Sequence, residues 1–208
     1  MNHVLGLETI RISLGGRLLL AVDARIGPGE VFTVMGPSGA GKSTLLAAIA
    51  GFADPAFEIT GRVLLDGEDI TGLPAEDRHV GLLFQDALLF PHLSIGDNLA
   101  FGLSVRRDDR QARIGRALEE IGLAGFTDRD PATLSGGERS RVALMRLLLS
   151  EPRAVLLDEP FSKLDAALRQ EMRALVFGRL RDAGLPAVLV THDAADAEAA
   201  GGTVLELG

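Results

Sequence analysis

Three observations predict an α/β fold built on a mostly parallel sheet. Short apolar runs alternate with helical stretches at both ends of the chain, a glycine-rich turn follows one such run, and another run stops on two adjacent acids. Strands separated by helices pair in parallel, because a parallel pair needs a crossover long enough to hold a helix. The 208 residues are 47% hydrophobic, the length and apolar content of one domain, 1–208, with a core of its own.

In chain order, alternating apolar residues at 5–12 and 18–26, split by Gly15 and Gly16, predict an antiparallel hairpin. It leads into a buried strand at 30–35. Residues 43–50 then read as a helix stopped by Gly51, and 59–65 with the Asp66-Gly67 turn reads as a second hairpin. A strand at 80–84 closes this part. From 87 to 152 the pattern is helical: Ser94 caps 95–102, a charged helix covers 110–121 and another covers 137–149. Strands return at 154–157, 187–190 and 203–207, with a helix over 166–181 between the first two. No internal repeat, low-complexity tract or linker marks a second domain.

Composition removes several classes of function. There is no cysteine, so disulfides, thiolate metal sites and cysteine nucleophiles are excluded. No run of about 20 apolar residues would cross a membrane, and residues 1–16 carry no signal-peptide pattern, so the chain is expected to stay inside the cell. The net charge of -8 argues against nucleic acid as a partner. Arg106, Arg107, Arg110, Arg113 and Arg116 form one basic cluster, but Asp108, Asp109, Glu119 and Glu120 accompany them, as on a solvated helix face. Only Lys42 and Lys163 are lysines, and both fall inside motifs.

Gly36, Pro37, Ser38, Gly39, Ala40, Gly41, Lys42 and Ser43, followed by Thr44, match a phosphate-binding loop and sit between a strand and a helix, as such a loop requires. The glycines let backbone N–H groups face a polyphosphate, and the helix N-terminus adds its positive end. Lys42 would neutralise β- and γ-phosphates, and Ser43 would ligate Mg²⁺. By itself the loop fits kinases, GTPases and many ATPases alike. Asp158 and Glu159 end an apolar strand; Asp158 suits a Mg²⁺ shell, and Glu159 suits a general base for the water attacking a γ-phosphate. The plainer alternative is a surface Asp-Glu turn. Ser135, Gly136, Gly137 and Glu138 open a helix whose N-terminus can grip an anion, although such a turn is commonly just a helix start.

Together with Gln85 after a strand, Ser162 to Asp165 after the acidic pair, and Thr191, His192 and Asp193 after a further strand, these motifs resemble the ATP-binding-cassette family over nearly the whole chain. The resemblance implies a P-loop NTPase of RecA-like type. Its core and N-terminal antiparallel β subdomain would occupy 1–86 and 153–208, and an inserted α-helical subdomain 87–152. It implies an ATPase using ATP and Mg²⁺, coupled to transmembrane transport. Two copies would sandwich nucleotide head to tail, with Ser135, Gly136, Gly137, Glu138 and Asp165 of one facing nucleotide on the other. Gln85 would touch Mg²⁺ or the attacking water and couple to the permease; His192 would hold the γ-phosphate and orient Glu159. Pro91 and His92 would face the membrane subunits, whereas His3 and His79 read as structural.

The segments 84–90 and 164–172 resemble short bacterial importer subunits of the thiamine-transporter type. That likeness implies a peripheral protein at the cytoplasmic face of the inner membrane, acting with transmembrane permease subunits and an external solute-binding protein. An exporter or lipoprotein-release ATPase is the alternative; a cassette ATPase of DNA repair or the ribosome fits less well, since no long coiled coil or second cassette is present. A non-hydrolytic scaffold conflicts with Lys42, Glu159 and His192. Where the family carries an aromatic for adenine near Ser13, this chain has none, so aliphatic contact from Leu14 or Val22 is expected. Lys163 stands where a small residue is usual and is expected to add a charge at the dimer interface. The end of the chain after its last strand is expected to leave out the regulatory domain of sugar-importer ATPases.

Overall fold

The computed structural model describes residues 2–103 and 107–207. Arg106 of the basic cluster lies outside them, as do the side chains of Arg107 and Asp108. Two sheets organise the chain. β1 (Leu5–Leu14), β2 (Arg17–Ile26), β4 (Phe57–Leu65) and β5 (Glu68–Asp69) form an antiparallel sheet in the order β2-β1-β4-β5. Every second residue of β1 is buried over much of its length, the mark of a sheet with one face on a core.

The second sheet is parallel, in the order β6-β7-β8-β3-β9: β6 (Val80–Leu83), β7 (Ala154–Asp158), β8 (Ala187–Thr191), β3 (Val31–Met35) and β9 (Val204–Glu206). The central strands are apolar on both sides because both faces are covered. Leu156, Val188, Val190, Phe32 and Val34 pack with Leu45, Leu46 and Ile49 of α1 (Lys42–Ala50) and with the antiparallel sheet. Val155, Leu157, Ala187 and Leu189 face the other way, onto α4 (Gly136–Leu149) and α5 (Ala166–Ala183). A third apolar cluster joins α2 (Ile95–Phe101), α3 (Arg107–Glu120) and α4 around Leu99, Leu118, Val142 and Met145. α4 belongs to two clusters and so ties the helical part to the sheet.

Ser94 caps α2, its hydroxyl accepting the Asp97 N–H at 3.0 Å, and the Gly51 N–H closes α1 on the Ala47 carbonyl. One element was not anticipated, α6 (Ala194–Ala200). Its seven residues are mostly alanine, so no bulky apolar period announces it, yet the Asp193 carboxylate caps it through the Ala195 N–H at 2.8 Å. On α3, Arg110 donates to the Ala100 carbonyl and Arg113 pairs with Glu151, so part of the basic face is used within the fold. Among the described residues no helix is long and apolar enough to cross a membrane.

Candidate nucleotide site

Strand register assembles the site. Met35 pairs with Thr191 across β3 and β8, Asp158 with Val190 across β7 and β8, and Leu83 with Leu157 across β6 and β7. All four strands run the same way, so the residues after them (Gly36, His192, Glu159 and Gln85) leave the sheet along one edge. Ligands of open parallel sheets bind at this carboxyl edge.

The loop after β3 wraps the start of α1. Gly41, at φ 85°, lies in the left-handed region, where a side chain would strain the turn. Lys42 is 7% exposed, and its ammonium donates to the carbonyls of Gly36 and Pro37, each at 2.8 Å. An ammonium has three protons, so one remains for an anion at the N-terminus of α1. Ser43 is exposed, and its hydroxyl lies 3.3 Å from an Asp158 carboxylate oxygen. Burial pushes the Asp158 carboxyl above its ordinary pKa, and the neighbouring Glu159 charge adds to this against the opposing effects of Ser43 and Lys42. A carboxylate so placed gains from a nearby cation. Hard oxygen donors from Ser43 and Asp158, completed by phosphate oxygens and water, match the demands of Mg²⁺.

Glu159 has φ 44°, a conformation costing a non-glycine residue about 1–3 kcal/mol. Its surroundings hold it there: its N–H donates to the Val190 carbonyl at 2.9 Å, and its own carbonyl accepts from the Ser162 N–H at 3.2 Å and hydroxyl at 2.9 Å. Phe161, fully buried edge-on against Phe177 with centroids 5.7 Å apart, anchors the same turn on α5. The Glu159 carboxylate lies 3.1 Å from Nδ1 of His192, whose side chain is 65% exposed and open to a ligand.

Asp196 and Arg173, not singled out from sequence, join Thr191 and Asp193 in bracing this histidine. The Thr191 hydroxyl donates to the buried Asp196 carboxylate at 2.7 Å and accepts the Asp193 N–H at 3.1 Å. Arg173 of α5 bonds Asp196 at 2.6 Å and Asp193 at 2.9 Å, and Arg169 bonds Asp193 at 3.1 Å. The available signal was the pair of arginines four apart on α5, one turn of a single face.

Ser135 and Glu138 form a reciprocal capping box: the Ser135 N–H and hydroxyl each donate to the Glu138 carboxylate at 2.7 Å, and the Glu138 N–H donates to the Ser135 hydroxyl at 3.3 Å. These hydrogen bonds hold the Glu138 carboxyl below its ordinary pKa. Gly136 is exposed, while Gly137 packs so closely that a Cβ there would lie 2.1 Å from Leu168 Cδ2. This helix start packs on α5 rather than on α1, so within one chain Lys42, Ser43, Asp158, Glu159 and His192 converge and the Ser135 segment stands apart. The Asp165 carboxylate caps α5 through the Leu168 N–H at 3.0 Å. Gln85 is exposed.

One expectation changes, at Val22, while Lys163 pairs with Asp86 of its own chain. Val22 is 6% exposed and belongs to the core, whereas Leu14 and Leu18, beside the β1–β2 turn, are 44% and 46% exposed.

The sequence profile of the ABC transporter family matches residues 19–162. The chain is 48% identical over 185 residues to the uncharacterized ABC transporter ATP-binding protein YnjD of Escherichia coli, covering 88% of this chain and 85% of that one. It is 44% identical over 199 residues to the thiamine import ATP-binding protein ThiQ of Jannaschia sp., covering 94% and 85%. The spermidine/putrescine import ATP-binding protein PotA of Acidothermus cellulolyticus is 46% identical over 180 residues, 85% of this chain but 46% of that longer protein. Among solved structures, cbiO1 of Clostridium perfringens, part of the ABC transporter complex cbiONQ, superposes with a TM-score of 0.84 at 27% identity, covering 99% of this chain and 85% of that one.

Proposed function

This chain belongs to the ABC transporter family, and from that premise we propose that it is the ATP-hydrolysing subunit that powers solute import by a bacterial ABC transporter. The observation carrying this reading is the row of strand ends that puts Lys42, Ser43 with Asp158, and Glu159 with His192 along one sheet edge.

The loop from Gly36 to Thr44 binds the triphosphate through backbone N–H groups, with the free proton of Lys42 directed at the β- and γ-phosphates. Ser43, Asp158 and Gln85 would hold Mg²⁺, which would supply positive charge against the charge developing on the phosphates. Glu159 accepts the proton of the attacking water. His192, its Nδ1–H toward Glu159, keeps that carboxylate oriented and presents its other face to the γ-phosphate.

Each chain supplies half of a complete site. The exposed helix start at Ser135 and Gly136, with Gly137, Glu138 and Asp165, faces nucleotide held by a second copy, so two chains pair head to tail. Membrane permease subunits are the partners that turn hydrolysis into transport. Their docking surface is the exposed stretch of Leu88, Pro91, His92 and Phe101, where Leu88 is 56% and Phe101 69% exposed. The subunit works at the cytoplasmic face of the membrane, and an external binding protein delivers the solute. Leu14 and Leu18 contact the base.

Phosphate release by purified chain with Mg-ATP tests the reading. Glu159→Gln is expected to keep ATP binding and lower turnover about 100-fold or more. Near-normal hydrolysis by that variant would remove Glu159 as the base, and no ATP-dependent phosphate from the unaltered chain would remove the ATPase.

A further inference from the structure

Two loops that flank the acidic pair are joined by an ion pair. Lys163, four residues after Glu159, places its ammonium against the Asp86 carboxylate, next to Gln85 and 77 residues away in sequence. Each end of this contact is mechanically connected to the site. On the Lys163 side, the adjacent Ser162 holds the Glu159 carbonyl with both its N–H and its hydroxyl, so a shift of this turn reaches the strained Glu159 backbone. On the Asp86 side, the next two carbonyls, of Ala87 and Leu88, accept from the guanidinium of Arg146 at 3.2 and 2.9 Å. Arg146 projects from α4, the helix that begins at Ser135, and Asn98 accepts the Phe90 N–H at 2.7 Å to close the segment on α2.

We propose that Lys163 and Asp86 are positioning residues for ATP hydrolysis: their ion pair bridges the Gln85 segment and the turn after Glu159, so that α4, Gln85 and the base move as one body. The proposal rests on the ATPase reading above. It assigns the two residues no contact with nucleotide; they set where Gln85 and Glu159 stand relative to each other. A second cation, Arg146, grips the neighbouring carbonyls, so this short segment is held from α4 on one side and from the Lys163 turn on the other.

Both side chains are more than half exposed, at 52% and 64%, which bounds the effect and supplies a readout. An exposed pair holds its geometry weakly, so its loss is expected to lower the maximal rate about two- to fivefold. It is also open to screening, since the Debye length shrinks to about 3 Å at 1 M salt.

The experiment measures phosphate release against Mg-ATP concentration for the unaltered chain, Lys163→Ala, Asp86→Ala, the double alanine variant and the charge swap Lys163→Asp with Asp86→Lys, at low and high NaCl, with Glu159→Gln as the blank. The proposal expects each single variant to lose kcat about two- to fivefold with KM for ATP unchanged. It expects the double variant to be no worse than either single one, the swap to recover most of the loss, and the salt sensitivity of the unaltered chain to be blunted in Lys163→Ala. Single variants at full kcat, additive losses, or a swap no better than the singles would overturn it while hydrolysis above the blank keeps the ATPase reading intact. An unaltered chain no faster than the blank would overturn both.

Discussion

Replacing Asp196 by alanine removes a carboxylate on which two other groups depend. Asp196 is 3% exposed and accepts from the Thr191 hydroxyl at 2.7 Å and from Arg173 at 2.6 Å. Breaking a buried ion pair from one side costs about 3–5 kcal/mol, because the other charge is left buried without its partner. Arg173 keeps Asp193 at 2.9 Å, which places the expected loss at the lower end, about 3 kcal/mol. For a domain of this length that is a fall in Tm of about 6–12 °C. A fold with about 10 kcal/mol of stability would still be overwhelmingly native at 25 °C. Any loss of kcat at that temperature therefore reports on His192, whose flanking Thr191 and Asp193 have lost their brace, and a several-fold fall with ATP binding retained is expected. Thermal melts and phosphate release on the same preparation decide the matter. Arg173→Met combined with Asp196→Leu, which removes both buried charges, should recover about half of the lost stability. A melt lowered by less than about 2 °C, with hydrolysis intact, would refute the idea that this pair braces the histidine.

Two further outcomes follow from other parts of the structure. Ser135→Arg adds bulk at an exposed helix start remote from the proposed nucleotide loop of its own chain, so fluorescent-nucleotide titration should show ATP binding little changed while phosphate release falls about tenfold or more; retained hydrolysis would exclude that helix end from the site. For Asp66, burial would raise the pKa, but the hydrogen bonds from His3, the Val4 N–H and Arg153 outweigh it and hold the carboxyl at about 2, against an ordinary 3.8. A carboxyl depressed on folding stabilises above its unfolded pKa and loses that contribution as pH falls through the folded one. After discounting for the solvent around this loop, Asp66→Asn should cost about 1 kcal/mol at pH 7, and the gap in urea midpoint should close between about pH 4 and pH 2. A gap that persists unchanged at pH 2 would show that the carboxylate charge is not the source.

Much of the secondary structure was legible because its determinants are local. Alternation in β1 and β2, unbroken apolar runs in β3, β7 and β8, and the caps at Ser94, Ser135 and Gly51 are read from neighbouring residues. α6 escaped because alanine has no bulky periodic face, and the contact that ties it to α5, Asp196 with Arg173, joins residues 23 apart. The pairing of Lys163 with Asp86 was not legible because the two lie 77 residues apart.

The order of residues along the chain is enough to say which chemical groups follow which strands: a lysine loop after β3, two acids at the end of β7 and a histidine after β8. That these groups meet is a property of the folded chain. Strand order β6-β7-β8-β3 and the parallel register align strand ends that are more than a hundred residues apart, and that alignment comes from long-range pairing and the packing of α1, α4 and α5 on the two faces. The same is true of the bent backbone at Glu159, which no local preference favours and which the carbonyl of Val190 and the turn at Ser162 hold in place.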